Sequence, residues 1–100
     1  MDLLSTGIYT VSEAAKLLGV ANARVNGWVF GYPKTKSGPI VKSDLEIIDG
    51  EKAMTFVNLM EARFIAAFAR HGVSVKAMRA MARNAQEILG SPHPFATDAI

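Results

Sequence analysis

Asn22, Arg24 and Asn26 fall within five residues of one another, and their types suit a defined chemistry. An Arg side chain can donate bidentately to guanine, and an Asn amide can pair with the edge of adenine. Lys16, Lys34, Lys36 and Lys42 lie on either side in sequence. Lysines so placed suit phosphates, where each neutralised charge adds salt-dependent affinity without reading sequence. The plainer reading of the same lysines is solvated surface charge. Nothing comparable suggests catalysis. The two histidines, His71 and His93, are far apart in sequence, and no carboxylate pair, Gly-rich phosphate cradle or metal-ligand spacing accompanies them. His71 is explained by the dipole of the helix it ends. With no Cys there is no thiolate nucleophile, no thiolate metal site and no disulfide framework. The expectation is a binding protein, not an enzyme, with no cofactor and no metal.

Base-reading side chains need a rigid carrier, and Tyr9 to Phe30 supplies one. Thr10 with Glu13 three residues on fits a capping box. Ala14, Ala15, Leu17 and Leu18 recur at helical spacing, predicting a helix over about 11–18. Gly19 follows, where a left-handed residue favours Gly. Ile8 and Tyr9 pack ahead of this helix as a staple on its entry. A second short helix over about 22–29 turns Val25 and either Trp28 or Val29 inward, with Trp28 read as core. Gly27 inside it costs about 1 kcal/mol against Ala, so either the helix is short or the Gly allows close approach to another backbone. Two short helices joined by a tight turn form a helix-turn-helix, whose second helix can enter a DNA major groove.

The stretch from Gly31 to Met54 holds three Gly and two Pro between short β-prone runs, as a β-wing would. Tyr32 to Pro39 reads as a loop with Lys34 and Lys36 at its tip, and Ile40 to Lys42 as a strand. Asp49-Gly50 is a turn signal. The partner of Ala53-Met54 is either Ile40-Val41 or Ile47-Ile48. Thr55 caps a strongly apolar helix over about 56–70, whose apolar residues cover more than one face, predicting a buried spine. Glu61 within it is either an exposed carboxylate or a buried partner for a backbone or Arg group. Gly72 ends this helix. Ser74 caps the last helix, about 75–89, in which Val75, Met78, Ala82, Ala85 and Leu89 form a seam and Lys76, Arg79 and Arg83 share the opposite face.

One hundred residues, half of them apolar, make one domain with a real core. The net charge of +2 is low for a nucleic-acid binder, but it is unevenly spread. Five basic residues against Asp2 and Glu13 occupy residues 1–42, whereas Asp44, Glu46, Asp49 and Glu51 follow together. No apolar stretch reaches the roughly 18 residues of a membrane span, and the N-terminus has no signal-peptide pattern. A cytoplasmic protein is expected. The domain is placed at residues 1–92. Residues 93–100, after a Ser-Pro-His-Pro break, are read as a linker or the start of a missing C-terminal domain, with Phe95 to Ile100 lacking a partner within the chain. The fold class predicted is mainly α with a small β-hairpin wing: a winged helix-turn-helix of about four helices.

IYTVSEAAKLLGV followed by a Trp-ended helix resembles the opening of MerR-type winged helix-turn-helix domains. MTFVNLMEARFIAAFARHGVSVKAMRAM is similar to the N-terminal DNA-binding domain of VapB-type antitoxins. In that family a Ser/Thr-Phe-x-Asn-Leu-x-Glu run opens the long helix and a Gly-Val-Ser turn leads into the next. Here those are Thr55, Phe56, Asn58, Leu59 and Glu61, then Gly72, Val73 and Ser74. Where that family tends to carry basic residues before the Trp, this chain has Asn26-Gly27. The resemblance covers about residues 8–96. It implies a repressor that binds its own operator through the helix at 22–29 and a basic wing. It also implies a PIN-domain ribonuclease toxin as partner, bound mainly beyond residue 100. A homodimer on double-stranded operator DNA is expected, since one helix-turn-helix buries little surface. The alternatives are a protein-interaction adaptor that kept the fold without strong DNA binding, and a MerR-like regulator unrelated to toxins.

Overall fold

A computed structural model of the chain describes residues 7–48 and 50–95. The elements are β1 (Ile8–Thr10), α1 (Val11–Leu18), α2 (Asn22–Phe30), β2 (Glu46–Ile48), β3 (Glu51–Thr55), α3 (Phe56–Arg70) and α4 (Val75–Leu89). They make a mainly helical winged helix-turn-helix with a small antiparallel sheet, as expected.

Local chemistry sets the helix ends. The Thr10 hydroxyl accepts from Glu13 N, and the Glu13 carboxylate accepts from Thr10 N at 2.9 Å, completing the capping box. Gly19 closes α1 at φ +69°, in the left-handed region where Gly is cheapest. Thr55 repeats the box on α3 with Asn58 as its reciprocal partner, and Ser74 caps α4 through Ala77 N. The C-cap of α3 is His71 at φ −90°; the expected Gly72 lies one residue beyond, at φ +84°.

The strand order is β1-β3-β2. Ile8 and Tyr9, expected only as a staple, form a strand paired with Thr55 and Met54. On the other side of β3, Ile47 pairs with Lys52 and Ile48 with Glu51, so the hairpin partner is the Ile47-Ile48 run. Gly50 sits at φ +79° in the connecting turn; its neighbour Asp49 lies outside the described residues. Ile40 to Lys42 is not a strand. Ile40 N and Val41 N both donate to the Trp28 carbonyl, at 2.8 and 3.2 Å, so the end of α2 takes the donors a sheet would have used.

The core joins Val25, Trp28 and Val29 of α2 to Val41, Met54, Ile65 and Met78. α3 is less evenly buried than its composition suggests. Leu59, Ala62, Ile65 and Ala66 face inward, whereas Phe56 and Phe64 are exposed. On α4 the seam is buried at Met78 and Ala82, but Leu89 is exposed beside Ile88. Phe95 is not without a partner: it is buried and meets the Phe68 ring edge-on at 5.9 Å. The rest of that tail, residues 96–100, lies outside the described residues. Glu61 takes the buried alternative. Its carboxylate is 0% exposed and pairs with His93 and the Phe95 amide in place of an Arg.

Candidate nucleic-acid interface

α2 starts without a side-chain cap: Ala21 holds the N-cap, and its carbonyl accepts from Arg24 N and Val25 N. Trp28 and Val29 are both buried with Val25, so the two inward alternatives are satisfied together. At about 100° per residue, Ala23 and Gly27 then point away from Val25 and Val29. Asn22 and Asn26 flank that outward line on one side and Arg24 on the other. The three base-edge candidates therefore do not form one row.

On the Arg24 side, a cleft of about 400 Å³ opens between α2 and the α3–α4 turn, with Arg24, Trp28, Tyr32, Val75 and Met78 in its walls. The Tyr32 ring packs against α2 at Gly27. A Cβ built on Gly27 would sit 2.2 Å from the Tyr32 ring, so Gly27 admits a side chain and not a second backbone. Burial pushes the Tyr32 phenol above its ordinary value, while the nearby Arg79 and Arg24 guanidiniums pull the other way. The hydroxyl thus stays a donor, set near two cations. Arg79 reaches this corner from α4 and donates to the Gly38 carbonyl at 3.1 Å, so the face it was expected to share with Lys76 and Arg83 is not uniformly solvated.

On the other flank, Lys52 of β3 donates to Asn26 Oδ1 at 2.9 Å and lies 5.6 Å from the centre of the Phe30 ring, within cation–π range. Asn22, Asn26, Ser12, Glu51 and Lys52 border a shallow cleft of about 290 Å³ there. Asn26 is half-buried with its acceptor engaged, whereas Asn22 and Arg24 are exposed.

The lysines divide by location. Lys34 and Lys36 are exposed on a tight turn closed by the Tyr32–Ser37 pairing, with Lys36 at φ +55°. Lys16 is exposed in the last turn of α1, and Lys42 is exposed farther along the loop. The hairpin that forms the wing carries Glu46, Glu51 and Lys52. The expected basic lysines therefore sit before the wing, and the wing contributes a single Lys, at 52. Lys52, Tyr32 and Arg79 were missed by sequence reasoning. Tyr32 folds back onto Gly27 from two residues past α2, Lys52 reaches Asn26 from β3, and Arg79 comes to Gly38 and Tyr32 from α4; no local period signals such contacts. Among the described residues, no group of three or more His, Asp or Glu is placed to hold a metal ion.

A protein-family model described as "Putative DNA-binding HTH domain" matches residues 7–82, from β1 into α4. No curated protein and no solved structure matches the chain.

Proposed function

From the premise that the chain belongs to this family of DNA-binding helix-turn-helix domains, we propose that it is a transcriptional repressor that presents α2 to a DNA major groove. One observation carries this reading: Arg24 stands exposed on α2, beside Tyr32 and Arg79, with Lys34 and Lys36 on the adjoining turn. Arg24 and Asn22 contact base edges, while Lys34, Lys36, Lys16 and Lys42 meet flanking phosphates. The order β1-α1-α2-β2-β3-α3-α4 supports a MerR-like arrangement. The protein acts as a cytoplasmic homodimer; exposed Phe56, Phe64, Ile88 and Leu89 offer apolar surface for the second copy.

Sedimentation with duplex DNA at about 50 and about 200 mM salt tests this. Four phosphate contacts per chain, eight in the dimer, predict roughly a 10,000-fold loss of random-duplex affinity over that range. Two chains should travel with each operator. A monomer at high micromolar concentration, with or without DNA, would count against the dimer.

The finer reading is an antitoxin. It rests on the Thr55-to-Glu61 and Gly72-to-Ser74 patterns, whose Asn58, Glu61 and Ser74 serve the fold itself as cap, buried anchor and cap. These motifs thus assign no side chain of this domain to nuclease contact. Residues 1–100 should repress but not rescue growth when co-expressed with a PIN-domain ribonuclease encoded beside this gene. Rescue would move the toxin contact onto this domain. The adaptor reading keeps two specific supports: Tyr32 covers Gly27 on the outward side of α2, and Ile47 is exposed on the wing. A flat salt dependence would favour it.

A further inference from the structure

His93 is held between two carboxylates. Its Nδ1 lies 3.0 Å from Glu61 Oε1 and its Nε2 lies 3.2 Å from Asp44 Oδ2. Glu61, on α3, is fully buried, and its second oxygen accepts from Phe95 N at 3.3 Å. Asp44 stands in the loop that leads to β2. Its amide donates to Asn58 Oδ1, and its carboxylate accepts from the Thr55 hydroxyl at 3.4 Å. The preceding Ser43 hydroxyl donates to the Ala53 carbonyl in β3 at 2.6 Å. One imidazole thus joins the tail after α4 to the middle of α3 and to the base of the wing.

We propose that residues 91–95 are a proton-gated latch: His93 clamps between Glu61 and Asp44, seats Phe95 on Phe68, steadies the base of the wing, and lets go as pH rises.

Proton counting gives the direction. Two ionised carboxylates offer only acceptors, so contacts at both ring nitrogens need an N–H on each, which is the imidazolium. Alternatively the carboxyl of Glu61 holds that proton itself. Either way the closed latch retains one shared proton. A neutral imidazole beside two ionised carboxylates would turn a lone pair toward one of them, and a buried unpaired carboxylate is costly. The open tail, with His93 and Glu61 in water, binds fewer protons near neutral pH. The closed form is therefore present at the acidic end and lost as pH rises through the transition of the pair. The direction for Glu61 agrees: burial first raises its carboxyl above the ordinary value and Asp44 adds to this, while the His93 and Phe95 hydrogen bonds oppose it. The charged groups facing His93 are Glu61 from α3 and Asp44 from the loop. Lys42 lines the cleft beyond Asp44, where α4 contributes the uncharged Gln86.

The test is an NMR pH titration of the whole chain from about pH 5 to about pH 9, the range in which His changes charge. His71, exposed at the end of α3, serves as the internal reference. In the wild type, the Phe95 amide and Phe68 ring signals should move with the His93 midpoint and not with that of His71. In Glu61→Gln, the amide can donate to His93 Nδ1 while its oxygen still accepts from Phe95 N. A neutral His93 is then satisfied, and Phe95 should stay docked across the range. Phe95 signals that stay fixed while His93 titrates in the wild type would overturn the latch. So would a Glu61→Gln chain whose Phe95 undocks at the wild-type midpoint. A duplex-binding arm rests on the proposed function: affinity at fixed salt should fall with the wild-type midpoint and stay level in Glu61→Gln. Absence of duplex binding at every pH would refute that function, while the Phe95 signals judge the latch separately.

Discussion

Asn58→Ala is expected to lower the stability of the fold by roughly 2–4 kcal/mol, because one oxygen serves two elements at once. Asn58 is fully buried. Its Oδ1 accepts from Thr55 N at 3.0 Å, which closes the capping box of α3, and from Asp44 N at 3.1 Å, which fixes the loop before β2. Removing the oxygen strands two backbone donors, each costing about 1–3 kcal/mol when buried without a partner. Loss of a capping interaction alone costs about 1 kcal/mol, so an effect beyond that size separates the loop contact from the cap. Asn58→Asp keeps the acceptor and removes the Nδ2 donor, which has no hydrogen-bond partner among the described residues. It also buries a carboxylate beside Asp44, so it is not expected to be milder than Asn58→Ala. Urea midpoints followed by far-UV circular dichroism provide the measurement. A loss below about 0.5 kcal/mol for Asn58→Ala would show that Thr55 and Asp44 find other acceptors.

The same residue shows what the sequence made legible. Three of the four helices were readable because their end signals are local: Thr10 with Glu13, Gly19, Thr55 and Ser74 all lie at or beside the ends they set. The helix-turn-helix followed from those ends. The short strands were harder, because pairing is decided at a distance. Val41 is β-prone, yet its amide goes to the Trp28 carbonyl, and Ile8 to Thr10 finds its partner more than forty residues later. The inward face of α3 was misjudged because its period is blurred by small residues. Ala62 and Ala66 are buried while the larger Phe56 and Phe64 remain exposed.

The candidate site divides the same way. Arg24 could be placed on the exposed side of α2 from the positions of Val25 and Trp28 alone. Its neighbours could not. Tyr32 lies over Gly27 because the chain turns back after Gly31, whose φ of +98° few other residues adopt. Lys52 meets Asn26 from β3, an element placed by its pairing with both β1 and β2. His93 was dismissed as a loop residue because nothing near it in sequence could pair with it; Glu61 is 32 positions away.

Arg24→Ala is expected to weaken specific DNA binding by about 1–3 kcal/mol, roughly 5- to 150-fold, and to relax preference at one base pair. The side chain is exposed, so its loss should leave the fold unchanged and the effect should appear in binding alone. Its position also decides what a conservative change does. Arg24 borders the cleft with Tyr32 and shares the phenol's surroundings with Arg79, so a point charge of the same sign remains when it is removed. A phosphate contact would survive that replacement in part, because a neighbouring cation can take over the Coulombic role. A bidentate contact to guanine would not, because it depends on the planar fork of one guanidinium. Arg24→Lys should therefore recover little of the specific affinity while restoring non-specific affinity. Lys34→Ala should do the opposite, weakening every duplex alike and reducing the salt slope by about one unit. Fluorescence anisotropy on operator and random duplexes, at two salt concentrations, distinguishes the two patterns. If Arg24→Ala keeps wild-type affinity and base preference with its fold intact, α2 does not read sequence through this residue, and Asn22 becomes the remaining exposed candidate on that helix.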